Sequence, residues 1–585
     1  MKSLFLSLAI LATLASAAHG QRAAPPEARV TAALRAPDIS SRLHFLADDL
    51  LEGRGTGARG GEIAAQYIAA QFMGMGLEPA GDSGTYFHHV PIITLVPAPA
   101  FEVTGGAPAR TLRYPDEYVA WAERSDSLVS ASGELVFVGF GITAPEWQWD
   151  DYKGMDLRGK ILVMLVNDPG LRDPSIFRGR ILTYYGRWTY KLEEAARRGA
   201  AGVLLVHNDT MATYGWSTVR NSWTGDQVRL DRPPTSLSFA GWITQGALAD
   251  LMRAKGLELG QLMNAAARRD FRPVATGIEL RGTVRSAMRR TTTANVIGRL
   301  AGSDPALRDE VVLISAHYDH LGLAQQPVNG DSILNGALDN ASGVASMLAV
   351  ADALVRTGVR PRRSLLFVAV AAEEKGLLGS QALAERPPVP LALVAAVLNF
   401  DVANLFGATR DIAVLGGDQS SLGGVFDRAA RGERLRVKVD QGSLLRGSFF
   451  RSDHFPLARA GVPALSWEHG NEYVGKPAGW GEEAWETFNR DRYHQVTDEV
   501  LPWYTMEGAL QQARVLARVA LAVGNATAQP VWNPSSEFRA AGERRAGPPT
   551  PFLLRHSTAA PRRHTAGSAA TLAARGAGEP PAAPR

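Results

Sequence analysis

Val311-Val312-Leu313-Ile314-Ser315-Ala316-His317-Tyr318-Asp319-His320 is an apolar run that ends abruptly in residues able to bind a metal ion. An uncharged run of this kind reads as a buried strand. The pattern recurs twice: Leu365-Leu366-Phe367-Val368-Ala369-Val370 leads to Glu373-Glu374 and Gly376, and residues 393–400 lead to Asp401. Between the first two runs, Asn335-Gly336-Ala337-Leu338-Asp339-Asn340-Ala341-Ser342-Gly343 feeds a helix with apolar residues at Val344, Met347, Leu348, Ala351 and Leu354, so Asp339 falls on a loop just before that helix. In an open α/β sheet, ligands bind beyond the carboxyl ends of the strands, so His317, the Glu373-Glu374 pair and Asp401 face one crevice. Imidazole and carboxylates without thiolates suit zinc or another borderline divalent ion. The surplus of donors over one tetrahedral shell implies two ions about 3.5–4 Å apart with a shared carboxylate.

The ordered set of motifs strongly resembles the co-catalytic di-zinc exopeptidases of metallopeptidase family 28, which include bacterial aminopeptidases and glutamate carboxypeptidases. The matching stretches are His317-Tyr318-Asp319-His320, Leu338 to Gly343, Ala371-Ala372-Glu373-Glu374-Lys375-Gly376-Leu377-Leu378-Gly379-Ser380, Asn399-Phe400-Asp401 and Tyr493-His494-Gln495-Val496-Thr497-Asp498. The resemblance implies a mixed-sheet α/β catalytic domain of the zinc-exopeptidase (phosphorylase/hydrolase-like) class and two Zn2+ per subunit. By the same resemblance His317 and Asp401 hold one ion, Glu374 and His494 hold the other, and Asp339 bridges them. Glu373 becomes the general base that deprotonates a water shared by the ions, and Asp319 the carboxylate that takes the other ring N–H of His317. The Asp339-Asn340 bond is expected to be cis. In Arg446-Gly447-Ser448-Phe449-Phe450-Arg451-Ser452-Asp453-His454-Phe455-Pro456, the family places Asp453 and His454 beside the substrate, although both also suit the cap and first turn of a helix.

The rest of the chain surrounds this core. Residues 1–20 carry Lys2, an apolar run from Leu4 to Leu14 and small residues through Gly20, which reads as a secretory signal and implies a secreted or periplasmic protein. No later segment has the ~18 uninterrupted apolar residues of a membrane span. The absence of cysteine excludes disulfides and thiolate metal sites. Net charge is +4, but its excess comes from a tail containing Arg539, Arg544, Arg545, Arg555, Arg562, Arg563, Arg575 and Arg585. No basic face with a reader motif is evident, so nucleic acid is not an expected partner. Residues 21–112 are read as the start of the catalytic domain, with two amphipathic helices separated by the turn Glu52-Gly53-Arg54-Gly55-Thr56-Gly57.

Residues 113–272 change texture to short strands between loops rich in Gly, Asp and Trp. A helix over 187–198 leads to Gly199-Ala200-Ala201-Gly202-Val203-Leu204-Leu205-Val206, which resembles the β-rich protease-associated domain that many family members carry as an insert. Residues 273–528 complete the catalytic domain, and 529–585, rich in Pro, Ala, Gly and Arg, are expected to form a disordered tail. The resulting expectation is a zinc metallopeptidase acting on peptides, most simply an aminopeptidase. Arg446 and Arg451 keep a glutamate-carboxypeptidase-like enzyme in view as the alternative. A transferrin-receptor-like binding protein shares the architecture but lacks a competent metal site, and the glutaminyl cyclases share the fold. The oligomeric state has no signature in the sequence.

Overall fold

The computed structural model describes residues 24–545 apart from 105–108, 213 and 233–234. The segments read as export signal (1–20) and as distal tail beyond Arg545 therefore lie outside the described residues. The three diagnostic runs form the strands Val311–His317, Ser364–Val370 and Val394–Asn399. Their residues are all buried, which is why the runs carry no alternating polar face. Val311–His317 pairs in parallel with both neighbours, and Ala464–Glu468 extends the parallel block from Val394–Asn399. All four strands therefore end on one edge of the sheet. The helix Ser342–Thr357 packs behind them and is buried at twelve positions from Ser342 to Leu354. Among the described residues one segment, Ala337–Thr357, is long and apolar enough to cross a membrane; it is this core helix, 89% buried within the protein.

A single mixed sheet runs from this block into residues 113–272. Its hinge is a ribbon of two long antiparallel strands, Phe87–Thr104 and Val274–Leu300, in register from Phe87 opposite Val296 to Thr104 opposite Glu279. On its far side Val274–Leu300 pairs with Leu128–Phe137, which continues through Ile161–Leu165, Gly202–His207 and Phe239–Thr244. The helix expected over 187–198 spans Trp188–Arg197. The expected boundaries at 112 and 272 fall just beyond the far ends of these two strands, after Thr104 and before Val274, and the described residues up to Arg545 form one compact unit. Phe87–Thr104 was not legible as a strand because Pro91, Pro97 and Pro99 interrupt it. These prolines fall outside residues 92–95 and 102–103, where the strand has partners on its second side.

The tail expectation is corrected at its proximal end. Trp532 and Phe538 are 8% and 3% exposed, and the Trp532 indole donates to the Gly461 carbonyl at 2.9 Å. Arg545 donates to the carbonyls of Leu391 and Val394 at 2.9 and 2.6 Å. Average composition hid these residues: two large aromatics among Pro, Ala and Arg anchor a segment that could not form a core of its own.

Candidate metal centre

His317 is the last residue of its strand, and Glu373, Asp401 and Glu468 lie at or just beyond the ends of the other three. Asp339 enters from the loop before the core helix, and His494 from the turn after Trp480–Asp491. The Asp339-Asn340 bond is cis, as the resemblance implies. Gly343 allows this loop to close: a Cβ there would stand 2.2 Å from Asn340 Oδ1 and 2.6 Å from the Phe400 carbonyl. Backbone strain collects at the donors, since Ala372, Val402 and His494 have φ of 56°, 64° and 60°. For a β-branched residue such as Val402 this conformation is a true outlier, of the kind that gathers at active sites.

The side chains form two donor sets that share one carboxylate. His317 Nε2 lies 3.2 Å from Asp339 Oδ1 and 3.1 Å from Asp401 Oδ1. His494 Nε2 lies 3.3 Å from both Asp339 Oδ2 and Glu374 Oε2. Zinc binds nitrogen and oxygen at about 2.0–2.2 Å, so donors around one tetrahedral ion stand about 3.3 Å apart. Both sets fit that spacing, and Asp339 gives one oxygen to each. The charges agree. The Asp339 carboxyl is held well below its usual range: burial opposes ionisation, but hydrogen bonds from His317 and His494 outweigh it. Burial and the Asp339 charge also oppose ionisation of Glu374, yet His320 and His494 draw it down to about 2. Conversely, burial alone would neutralise His494, but Asp339 and Glu374 hold it up at about 10.

Glu373 differs from these donors. Burial, followed by the charges of Asp401, Glu374 and Asp453, pushes its carboxyl well above the usual range against the pull of His317. The expected role of Asp319 is corrected. The Nδ1–H of His317 donates to the main-chain carbonyl of Asp319 at 3.1 Å, whereas the Asp319 carboxylate stands 4.0 Å away. That carboxylate instead accepts from the Glu373 backbone N–H at 3.0 Å and from the Thr56 hydroxyl at 2.8 Å. Asp319 thus positions Glu373, because the strand ends at His317 and the turn swings the carboxylate toward the neighbouring strand.

Asp453 and His454 do not line an open pocket. Asp453 is buried and accepts from the Ser380 hydroxyl at 2.6 Å; burial pushes its carboxyl up to about 7. His454 is also buried, edge-on to Phe449 with ring centroids 4.6 Å apart, and burial lowers its pKa to about 3. The short helix His454–Arg459 packs against Ala464–Glu468, which turns both side chains inward.

Several supporting residues were missed. His320, one residue after Asp319, is fully buried with Nδ1 2.8 Å from Glu374 Oε1, the oxygen turned away from His494. Asp498 accepts from the Leu338 and Asp339 backbone N–H groups at 3.0 and 3.1 Å, fixing the loop that carries the shared carboxylate. The Ser452 hydroxyl donates to Asp401 Oδ2 at 2.7 Å and accepts from Asn399, which accepts in turn from Ser315. Arg54 is buried, and its guanidinium donates to the Tyr318 and Gly336 carbonyls at 2.7 and 2.9 Å, tying two donor loops together. His320 and Asp498 stood inside the quoted motifs and could have been flagged there; Arg54 and Ser452 carried no signal of spacing.

Residues 295–518 match the model of Peptidase family M28. The chain is 28% identical over 215 residues to leupeptin-inactivating enzyme 1 of Streptomyces exfoliatus, covering 36% of this chain and 44% of that protein. It is 38% identical over 110 residues to a probable zinc metalloprotease of Pyricularia oryzae, covering 19% of this chain and 20% of that protein. It thus spans less than half the length of these curated relatives. Among solved structures, an aminopeptidase from Aneurinibacillus sp. strain AM-1 is 19% identical, with 84% of this chain and 95% of that chain covered at a TM-score of 0.43. A peptidase M28 precursor from Shewanella amazonensis SB2B is also 19% identical, with 86% and 97% covered at 0.40. Residues 295–518 of the chain thus form a peptidase family M28 domain.

Proposed function

We propose that this protein is a zinc-dependent exopeptidase that removes amino-terminal residues from peptides, with two zinc ions per chain and Glu373 as general base. The observation that carries the reading is the pair of donor sets with tetrahedral spacing that share Asp339. When bound, the two ions would acidify a shared water and polarise the scissile carbonyl. Glu373, oriented through its backbone by Asp319, takes the proton of the attacking water on its carboxylate and returns it to the leaving amine. Burial and the neighbouring carboxylates raise its affinity for a proton, which suits a group that must take one and hold it until the amine leaves.

Beyond the expected ligands, the acidic side chains Asp319, Glu373 and Asp453 stand around the site, and such groups suit a substrate ammonium better than a carboxylate. The opposite specificity, removal of carboxy-terminal residues, is favoured by Arg187, Arg446 and Arg451 around a nearby cavity. The deciding experiment compares one peptide in four forms, with the amino end free or acetylated and the carboxyl end free or amidated. Loss of hydrolysis on acetylation supports the amino-end reading. Hydrolysis that survives acetylation but not amidation replaces it with the carboxypeptidase reading. Export through residues 1–20, and a protease-associated insert beside the cleft, belong to the same proposal.

A further inference from the structure

Leu182, Arg187, Tyr214 and Trp242 of the inserted region face Arg446 and Arg451 of the catalytic region across a cavity of about 50 Å³. Among the described residues the Nε of Arg187 is buried without a hydrogen-bond partner. The charged groups that act on Arg187 are Arg451 and the tyrosines Tyr214 and Tyr184, with no carboxylate among them. Burial, and then Arg451, pull its pKa down to about 10. Arg446 donates to the Ser443 hydroxyl at 3.3 Å and faces Glu468, so its charge is partly answered; among the described residues neither the half-buried Arg187 nor the exposed Arg451 pairs with a carboxylate. Two guanidinium groups brought together by separate parts of the fold, against aromatic walls and without a counter-ion, form an arrangement completed by an anion. The planar fork of Arg suits a carboxylate in particular.

The location connects this cavity to the metal donors. Arg451 directly precedes Ser452, whose hydroxyl holds Asp401 at 2.7 Å. Consecutive Cα atoms are about 3.8 Å apart, so Arg451 begins next to a residue in contact with a metal donor, and a short peptide held at the donors passes beside it. The cavity exceeds the 10–15 Å³ or so that a single water requires and is large enough for a carboxylate.

We propose that Arg187 and Arg451 form a carboxylate-binding subsite that holds the carboxyl terminus of a short peptide while the bond at its amino end is cut. The substrate class is therefore short free-acid peptides. This rests on the aminopeptidase reading above and adds to it a reason for the insert, which supplies half of the subsite.

The test uses the zinc-loaded full chain as wild type, Arg187→Gln and Arg451→Gln. The substrates are a tripeptide free acid, its amide, the amide with a Glu at the third position, and an aminoacyl-p-nitroanilide that has no carboxylate. Loss of a charged hydrogen bond corresponds to about 10- to 100-fold, so the wild type should favour the free acid over the amide by that factor in kcat/KM. Either variant should abolish the preference while cleaving the anilide at the wild-type rate, which also controls for folding. If the Glu-containing amide regains the preference in the wild type only, the subsite stands and reads side-chain carboxylates as well. Equal cleavage of acid and amide by a wild type active on the anilide overturns the subsite and leaves the aminopeptidase reading intact. A preference for the acid that persists in both variants also overturns it. An acid preference that the variants abolish, in a wild type inert toward the anilide and indifferent to amino-terminal acetylation, keeps the subsite and refutes the aminopeptidase reading instead.

Discussion

Replacing His320 tests whether the second donor set depends on a residue outside the expected ligands. Its Nδ1 stands 2.8 Å from Glu374 Oε1, and both side chains are almost wholly shielded from water. With the His320 ring set against Oε1, Glu374 turns Oε2 toward His494 and Asp339. His320→Ala removes the imidazole that stands against a buried carboxylate oxygen, and stripping a buried charge of its polar neighbour costs about 1–3 kcal/mol. That range corresponds to about 5- to 150-fold in an equilibrium constant and overlaps the 10–100-fold typical of partners that orient metal ligands. His320→Asn can still present an N–H close to the position of Nδ1, so it should stay within about threefold of wild type. Competition against a zinc-binding dye, with zinc content per chain and a thermal melt as fold control, reads all three proteins. The alanine variant should keep one ion as tightly as wild type and bind the second about 10–100-fold more weakly. Unchanged affinity for both ions in a folded His320→Ala protein would refute the positioning role. Equal weakening by Asn and Ala would show that bulk rather than the donor matters.

Two further outcomes test the centre itself. Glu373→Gln should keep two zinc ions and lose about 10²–10⁴ in kcat, because an amide cannot accept the proton; zinc loss in parallel with activity would make Glu373 a ligand instead. Zinc loading should release protons. In the metal-free protein Asp339 and its neighbours raise the pKa of His317 well above 6.5 and that of His494 to about 10, so both rings are protonated at pH 7 and must lose that proton to bind an ion. Since raised pKa values make protons the competitor, apparent affinity should climb as pH rises through the neutral range toward about 10, by up to about tenfold per unit for each proton displaced. Titration calorimetry in buffers of different ionisation enthalpy measures the release, and a value near zero at pH 7 would mean the rings are neutral before zinc arrives.

The metal-bearing strands were legible because each is buried on both faces, so unbroken apolar runs such as Leu365 to Val370 mark both the strand and the place where its ligand begins. Glu373-Glu374 and Asp401 then followed from position alone. What escaped was whatever depends on the path of the backbone after a strand stops. Asp319 is two residues from His317, the natural spacing for a partner on the same face, yet the chain turns, and the carboxylate reaches Glu373 while the carbonyl meets the imidazole. Asp453 and His454 looked like pocket residues because polar side chains beside a motif usually face solvent, and no local pattern shows that a helix will cover them. The cavity lined by Arg187 and Arg451 joins residues far apart in the chain, so only the tertiary structure brings the two together.

The ordered end of the tail supports the centre from behind. Phe538 packs on Phe449 and Phe455 with ring centroids 5.7 and 6.4 Å apart, and Trp532 stacks against Phe538 at 5.1 Å. Phe449 and Phe455 flank Ser452, the residue that holds Asp401. A chain ending at residue 528 loses both aromatics and the Arg545 bonds to Leu391 and Val394, beside the start of the strand that leads to Asp401. Deleting a buried Phe or Trp side chain costs about 3–5 kcal/mol, so the melting temperature should fall by roughly 5–10 °C. Because the loosened loop carries Ser452, zinc should be lost first from the set containing Asp401, whereas His320→Ala weakens the set containing Glu374. A chain ending at residue 545 keeps these contacts and should match the full chain in both measurements. If the 528 truncation melts and binds zinc as the full chain does, the tail packs without supporting anything, and the link from Phe538 through Ser452 to the metal donors is wrong.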